Sequence, residues 1–485
     1  MQNRLRALGA LLLAGTAVLG ATQAASAAAS PSAPVDSTEE RLRALQDQLD
    51  SVNAQLADLK RGQSKQYEDV NRQFGDLVII KFDNGRPTFA TSDGNFTLAI
   101  RALLQYDSAY YAQGTVPAGT DLSSGNDFRR ARLGISGTLF KDWSYEFLYD
   151  MGGSGLEGSS IASAYIQYDG LGPVHVKAGA FPPPESFDDS TSAADLVFLE
   201  RAQPTDLARG IAGSDGRDAA TVFAYDDDYF AAVSYTGNLV TDTAVFDEQQ
   251  AVVGRFAYRL LHTADVNFAV GADATYVLKL ADTAAGPNSP TSFRLRERPE
   301  LNVDDNNIRL IDTNVIDASD VLEWGTEATG NWHNFYAQGG YFGFNVTRRT
   351  GALADPSFEG WYLQGSWILT GESKPYIASR GAYGSPKPLE PFSFSKPGIG
   401  AWEIAARYSD LDLDFHAGAP GTAKTADAIR GGDQKIWTVG INWYPNSALR
   451  FLLDFQHTDV DRLNNAGASI GAKLDDVSLR AQFAL

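Results

Sequence analysis

From about residue 78 to the carboxyl end, apolar and polar residues alternate one for one, and this period of two constrains the chain more than any other feature. Phe96, Leu98, Ile100, Ala102, Leu104 and Tyr106 interleave with Thr97, Ala99, Arg101, Leu103 and Gln105. Successive side chains of a strand point to opposite faces, so each such run reads as a strand with one apolar face. The pattern recurs in Trp143, Tyr145, Phe147, Tyr149, in Val266 to Leu278, in Trp361, Leu363, Gly365, Trp367, Leu369, and in Trp437, Val439, Ile441, Trp443. Leu449, Phe451, Leu453, Phe455 and Val477, Leu479, Ala481, Phe483, Leu485 repeat it at the end. About 16 to 18 strands fit into these roughly 400 residues.

Two all-β architectures use that pattern. A soluble sandwich or propeller turns the apolar face inward, whereas a transmembrane antiparallel β-barrel turns it to lipid and keeps polar groups inside. Many of these strands reach nine or more residues, enough to cross a bilayer at a tilt. Aromatics gather near strand ends and the chain closes on a strand, so the barrel of about 16 strands is the expected fold. A barrel of that size encloses water rather than a packed core.

The first 27 residues read as an export signal: Arg4 and Arg6, an apolar run from Leu8 to Leu19, then Ala25-Ser26-Ala27. That run is too short for a spanning helix, which needs roughly 20 apolar residues. Residues 28–37 read as a disordered start. In 38–61, Leu42, Leu45, Leu49, Val52, Leu56 and Leu59 follow the 3-4 spacing of a coiled-coil seam, with Ser37 and Glu40 placed for a capping box. Gly62 is expected to end this helix and 62–77 to be a polar linker. Packing of the helix on its own domain stays open beside an oligomerising bundle in the periplasm.

Composition enters as exclusion. A formal charge of −20 over 485 residues leaves no basic footprint for nucleic acid. With no Cys there are no disulfides, zinc-thiolate sites or thiol nucleophiles. His175, His262, His333, His416 and His457 are scattered without a motif, so no enzyme, cofactor or metal is expected.

Function then lies in what faces the lumen. In Phe293 to Glu300, Arg294, Arg296 and Arg298 share one face, and guanidiniums turned to lipid would cost several kcal/mol. They should face the channel or lie beyond its rim. In Phe128 to Ile135 the apolar phase puts Arg130 and Arg132 inward, and Arg129 joins them only if the strand begins later or a bulge intervenes. A file of arginines lowers the barrier for anions. Equally, acidic residues such as Glu146, Asp150 and Glu297 could pair with them and brace the wall. The longest break in the alternation, about 181–217, opens on Pro182-Pro183-Pro184 and carries Leu196, Val197, Phe198, Leu199, Leu207 and Ile211, too apolar for a solvated loop. Folded inward, it would narrow the channel and bring Glu200, Arg201 and Arg209 to the permeant. An outer cap or a subunit contact is the alternative.

Asp127-Phe128-Arg129-Arg130-Ala131-Arg132-Leu133-Gly134, then Lys141-Asp142-Trp143-Ser144-Tyr145, Phe198-Leu199-Glu200-Arg201, Arg296-Glu297-Arg298-Pro299 and Gly400 to Tyr408 strongly resemble the phosphate-selective porin O/P family. The likeness runs in order through the whole barrel. It implies a homotrimeric 16-stranded porin in the outer membrane of a Gram-negative bacterium, set in outer-membrane lipid. Its hourglass channel would be constricted by the third extracellular loop, with an arginine ladder and vestibule lysines. Arg129, Arg130, Arg296 and Arg298 match ladder positions; Arg132 and Arg294 are suggested by spacing alone. The chain departs from the family at Ala193-Ala194-Asp195, where a lysine is expected after Thr191-Ser192, and in its ending, Phe483-Ala484-Leu485. The expected function is passive diffusion of small anions, inorganic phosphate or related oxyanions. The alternative is a weakly selective porin that tethers the envelope through its coiled coil.

Overall fold

The structure, a computed structural model, describes residues 37–75, 78–83, 85–153, 160–242, 247–263, 265–282 and 292–485. The export signal at 1–27 lies outside the described residues, as does the disordered start apart from its last residue. The chain divides into two units, Met1–Phe74 and Gly75–Leu485.

The first unit holds helix α1, Ser37–Gly75, of 39 residues. It does not stop at Gly62. An interior glycine costs only about 1 kcal/mol relative to alanine, and the following Gln, Lys and Glu residues carry the helix on until Gly75. The tract read as a linker, 62–77, is therefore helical as far as Gly75, and its last two residues lie outside the described residues. Leu45, Leu49, Val52, Leu56 and Leu59 are all exposed.

The second unit opens with a hairpin, β1 (Val78–Asp83) and β2 (Arg86–Thr91). The barrel then runs through β3 (Thr97–Thr115), β4 (Gly125–Leu139), β5 (Trp143–Asp150), β6 (Ser160–Leu171), β7 (Val174–Ala180), β8 (Arg217–Tyr225) and β9 (Tyr229–Leu239). It continues with β10 (Gln250–His262) and β11 (Val266–Lys279). Two small pairs sit inside long connections: β12 (Arg296–Glu297) with β13 (Ile311–Asp312), and β17 (Tyr376–Ile377) with β18 (Ala382–Tyr383). Between and after them come β14 (Ala318–Trp332), β15 (Phe335–Arg348), β16 (Ser357–Ile368), β19 (Ala401–Phe415), β20 (Ile429–Tyr444), β21 (Leu449–Asp461) and β22 (Ala472–Ala484).

Each barrel strand pairs antiparallel with the next, and β22 pairs with β3 to close a ring of 16. Closure removes the exposed edges that an open sheet would leave. The hairpin is not part of that ring. Thr88–Ala90 of β2 pair with the first residues of β3, on the edge that β22 occupies further along.

The alternation read from the sequence sorts as expected. On β21, Leu449, Phe451, Leu453 and Phe455 are exposed while Arg450, Leu452, Asp454 and Gln456 are buried. The inside is far from empty, because the connection from 181 to 216 folds inward. Its Leu196, Val197, Phe198 and Leu199 are buried, as are Leu207 and Ile211 on helix α2 (Gln203–Ala212). Leu199, Leu207 and Ile211 join one cluster with Leu295, Leu301, Val303 and Ile311 from the connection after β11. Two inward loops therefore pack on each other, and burial of their apolar side chains, each worth about 1.5–3 kcal/mol, holds them there. Asp304 is buried and accepts from the Ser123 amide (2.8 Å) and hydroxyl (2.7 Å), joining this loop to the connection between β3 and β4.

Candidate functional site: an arginine-lined constriction

The site begins with an irregularity in β4. Gln105 pairs with Arg130 and Asp107 with Asp127, so Phe128 and Arg129 together oppose Tyr106. This bulge resolves the phase problem: one extra residue re-aims a side chain, and Arg129, Arg130 and Arg132 all reach the lumen. Phe128 turns outward against the Tyr106 ring, with ring centres 5.2 Å apart.

Acidic residues fix all three. Arg129 Nε donates to Glu200 Oε1 (2.8 Å). Arg130 donates to Gln105 Oε1 (2.9 Å) and lies 3.6 Å from Glu200. Arg132 donates through Nε to Asp150 (2.7 Å) and through Nη2 to Asp215. Arg209, on α2, donates to Asp189 (2.6 Å) and to Asp215 (3.4 Å). Burial alone would raise the Glu200 carboxyl, but Arg129, then Arg130 and Arg480, hold it well below the usual carboxylate range. Asp215 is likewise held down, against burial, by Arg132 and Arg209. These carboxylates are therefore charged anchors. They leave Nη1 of Arg132 and of Arg209 without a hydrogen-bond partner among the described residues.

Arg201 does something else. Its guanidinium donates to the carbonyls of Asp188 (3.2 Å), Asp189 (3.1 Å) and Thr191 (2.8 Å), so it holds the loop's own backbone.

The arginines after β11 sit not on a barrel strand but in the second inward loop. Arg294 pairs with Asp312 across the β12–β13 region, Nε to Oδ1 at 2.7 Å. Arg296 is exposed, and its side chain has no ion-pair or hydrogen-bond partner among the described residues. The shared face ends there: Arg298 is buried beside Glu297, Pro299 and Glu300. Glu297 Oε1 accepts the Arg298 amide (2.7 Å).

Two cavities meet at this arrangement. An outer one of about 850 Å³ is lined by Arg129, Arg130, Arg294, Arg296 and Arg298. An inner one of about 390 Å³ is lined by Arg101, Lys177 and Arg380. Arg132, Arg201, Arg209 and Asp215 border both, which makes them the neck. In the inner cavity Lys177 Nζ lies 4.4 Å from the Phe181 ring centre and 4.7 Å from that of Tyr165. Arg101 stands 3.7 Å from Glu146. Where the lysine is missing, the Ala193 and Ala194 carbonyls accept from Gln105 and Gln482, both at 2.9 Å, and Asp195 faces Arg380 at 3.6 Å. That stretch serves as a tether to the wall, and Arg380 arrives from the opposite rim.

The alternation alone could not supply Arg480. It is 1% exposed and donates twice to Asp107, at 2.6 Å each, and once to Glu200 (3.0 Å). Its inward phase was legible beside Val477 and Leu479, but its partners were not. Arg407, paired with Glu300, was missed for the same reason.

Burial, with Asp206 close by, pushes Glu297 up to about 8. A raised carboxyl keeps its proton in the folded protein, so the stability it lends fades as pH climbs from the unfolded value near 4.5 towards 8. Through that range a negative charge appears in the outer cavity. Anion preference should therefore fall between about pH 6.5 and pH 9, and Glu297→Gln should flatten the change. Reversal potentials at the two pH values check this; a flat native profile would refute it.

A closed 16-stranded barrel with inward loops, a polar lumen and a lipid-facing apolar surface defines an outer-membrane porin. The sequence matches the family "Phosphate-selective porin O and P" over residues 99–485, and the chain belongs to that family. It is 27% identical over 413 residues to Porin O of Pseudomonas aeruginosa, covering 80% of this chain and 88% of that one. The anion-selective porin from Comamonas acidovorans shares the fold at 12% identity, with a TM-score of 0.50, covering 80% of this chain and 100% of that one. The chain is thus a channel protein of the Gram-negative outer membrane. Short turns such as 333–334 then mark the periplasmic rim, which the long connection 369–400 also leaves, while the connections after β7 and β11 leave the outer rim.

Proposed function

We propose that this porin passes small anions by diffusion, with phosphate or a related oxyanion as the permeant. The observation that carries this is the continuity of open cationic donors: Arg296 in the outer cavity, Nη1 of Arg132 and Arg209 at the neck, Arg101 and Lys177 below. A guanidinium already held by carboxylates needs no reorganisation when an anion arrives. Its remaining N–H replaces part of the anion's hydration, while the paired carboxylates keep each site shallow enough to release the ion. Family membership supports phosphate; the missing lysine after Thr191-Ser192 argues for weaker discrimination against chloride. A reversal potential in a potassium chloride gradience across a planar bilayer, repeated with added phosphate, tests the reading. Anion preference with phosphate block is expected, and cation preference would end it.

The working unit is proposed to be a homotrimer, with α1 as its periplasmic bundle. The exposed seam supports this, and a helix of 39 residues spans about 58 Å at 1.5 Å per residue. Past Leu59 the seam positions turn to Gln63 and Gln66, so the apolar half sits at the amino-terminal end. Deleting 38–75 should leave conductance and selectivity unchanged while lowering the temperature at which trimers dissociate on gels. Unaltered trimers combined with a leaky envelope would favour the tether reading instead.

A further inference from the structure

One cluster inside the barrel takes no part in the anion path. Glu185, in the constriction loop just after Pro182-Pro183-Pro184, meets Asp273 of β11 and Glu323 of β14. One carboxylate oxygen from each lies within 4.8 Å of the others. Glu185 and Glu323 are fully buried and Asp273 is 7% exposed. Both Glu323 oxygens, Glu185 Oε2 and Asp273 Oδ2 are buried without a hydrogen-bond partner.

The usual remedies are missing. The hydrogen bonds of the guanidiniums in this region go elsewhere: Arg255 donates to Ser190 Oγ (2.8 Å) and to the Arg380 (2.7 Å) and Gly381 (2.6 Å) carbonyls, Arg217 to the Gly213 (2.8 Å) and Gly237 (2.9 Å) carbonyls, and Arg209 to Asp189 and Asp215. Thr275 satisfies one oxygen only, donating to Glu185 Oε1 at 2.9 Å. Burial, with Asp189 and Asp273 close by, pushes the Glu185 carboxyl well above its usual range. Buried carboxylates this close cannot all stay charged unless something cationic joins them.

We propose that Glu185, Asp273 and Glu323 bind one hard divalent cation, of the calcium type, which fastens the constriction loop to the barrel wall. Carboxylate oxygens are the ligands such an ion takes, at about 2.3–2.6 Å, and three oxygens inside the observed spacing can reach a single ion at that distance. Water would complete the shell. The oxygens that the protein leaves unpartnered are the ones the ion would use. Because the three residues come from a loop and from two wall strands, the ion crosslinks elements that the chain joins only over long separations. It also offsets negative charge inside a barrel that passes anions. The sequence reading expected no metal, since 88 and 50 residues separate the members and no local spacing marks them.

The test uses the full-length porin, refolded free of lipopolysaccharide and stripped with EDTA. Calcium alone is titrated in by calorimetry, with retained metal counted by elemental analysis. Roughly one calcium per chain, lost in Asp273→Asn/Glu323→Gln and weakened at least about tenfold in Glu185→Gln, is the expected result. In bilayers, EDTA should reduce the native anion preference and increase current noise, with calcium reversing both. No saturable binding by the native protein would overturn the site and leave the carboxylates sharing protons. Binding that persists undiminished in the double variant would overturn it too, since the calcium would then sit on surface acids. If the double variant does not assemble, the native titration and its EDTA reversal decide.

Discussion

Changing Arg132 to alanine should cut the anion-to-cation permeability ratio at least about tenfold. A unit charge some 5 Å from the path counts for about 3 kcal/mol at an effective dielectric of 20, and 1.4 kcal/mol is a factor of ten. The change also removes the guanidinium that Asp150 and Asp215 share, so the charge at the neck becomes more negative by one unit although Arg209 still pairs with Asp215. Arg132→Lys separates two explanations. It keeps the charge but cannot bridge both carboxylates as a planar fork does, so most of the selectivity should survive with a less stable trimer. Reversal potentials of both variants measure this. Unchanged anion preference in Arg132→Ala would mean that the neck arginines only brace the wall.

The second large effect is expected at the seam of the barrel. Arg480→Met removes a bidentate partner from Asp107 and one of the three guanidiniums holding Glu200, both inside the lumen. Breaking a buried pair by removing one partner costs about 3–5 kcal/mol. The Leu199 carbonyl also loses its donor (2.6 Å), so the constriction loop is freed at the point where it meets the closing strand. A lower unfolding temperature on heated gels and a larger, noisier single-channel conductance are expected. Adding Asp107→Asn should recover much of the stability and little of the gating defect. A single variant as stable and as quiet as the parent would show that the pair contributes nothing.

The net charge of −20 does not oppose this function, because a permeating ion responds to the local potential in a focused path rather than to the chain total. Asp226, Asp227 and Asp228 illustrate where the acid goes. They form a short turn at the rim, where Asp226 Oδ1 accepts the amides of Asp228 (2.7 Å) and Tyr229 (3.0 Å).

Much of the barrel was legible because its code is local. Period two assigns Leu449, Phe451, Leu453 and Phe455 to lipid and Arg450, Asp454 and Gln456 to the lumen without knowledge of any other strand. Arg130 and Arg132 followed from the same phase, and the bulge that admits Arg129 was the stated condition for it to join them. The apolar content of the 181–217 stretch ruled out a freely solvated loop but left an inward fold and an outer cap both open; the fold decided between them. Helix length was misjudged because one glycine is a weak stop when its flanks favour helix. Arg298 lines the outer cavity with Arg294 and Arg296 but is buried where they are exposed, because the alternation there enters a loop whose strand is only Arg296–Glu297.

By itself, then, the sequence determined which face of each strand meets lipid and which meets water, since that depends only on the parity of a position along its strand. Tertiary structure decided the rest. Asp107 and Arg480 stand 373 residues apart and become neighbours only when the last strand pairs with the first. Glu200 gains its three arginines only once the loop has folded across the lumen. Charge partners in a barrel are set by ring closure and by loops crossing the interior. Neither leaves a local spacing in the chain, because the energy that fixes them comes from contacts between segments that the sequence keeps far apart.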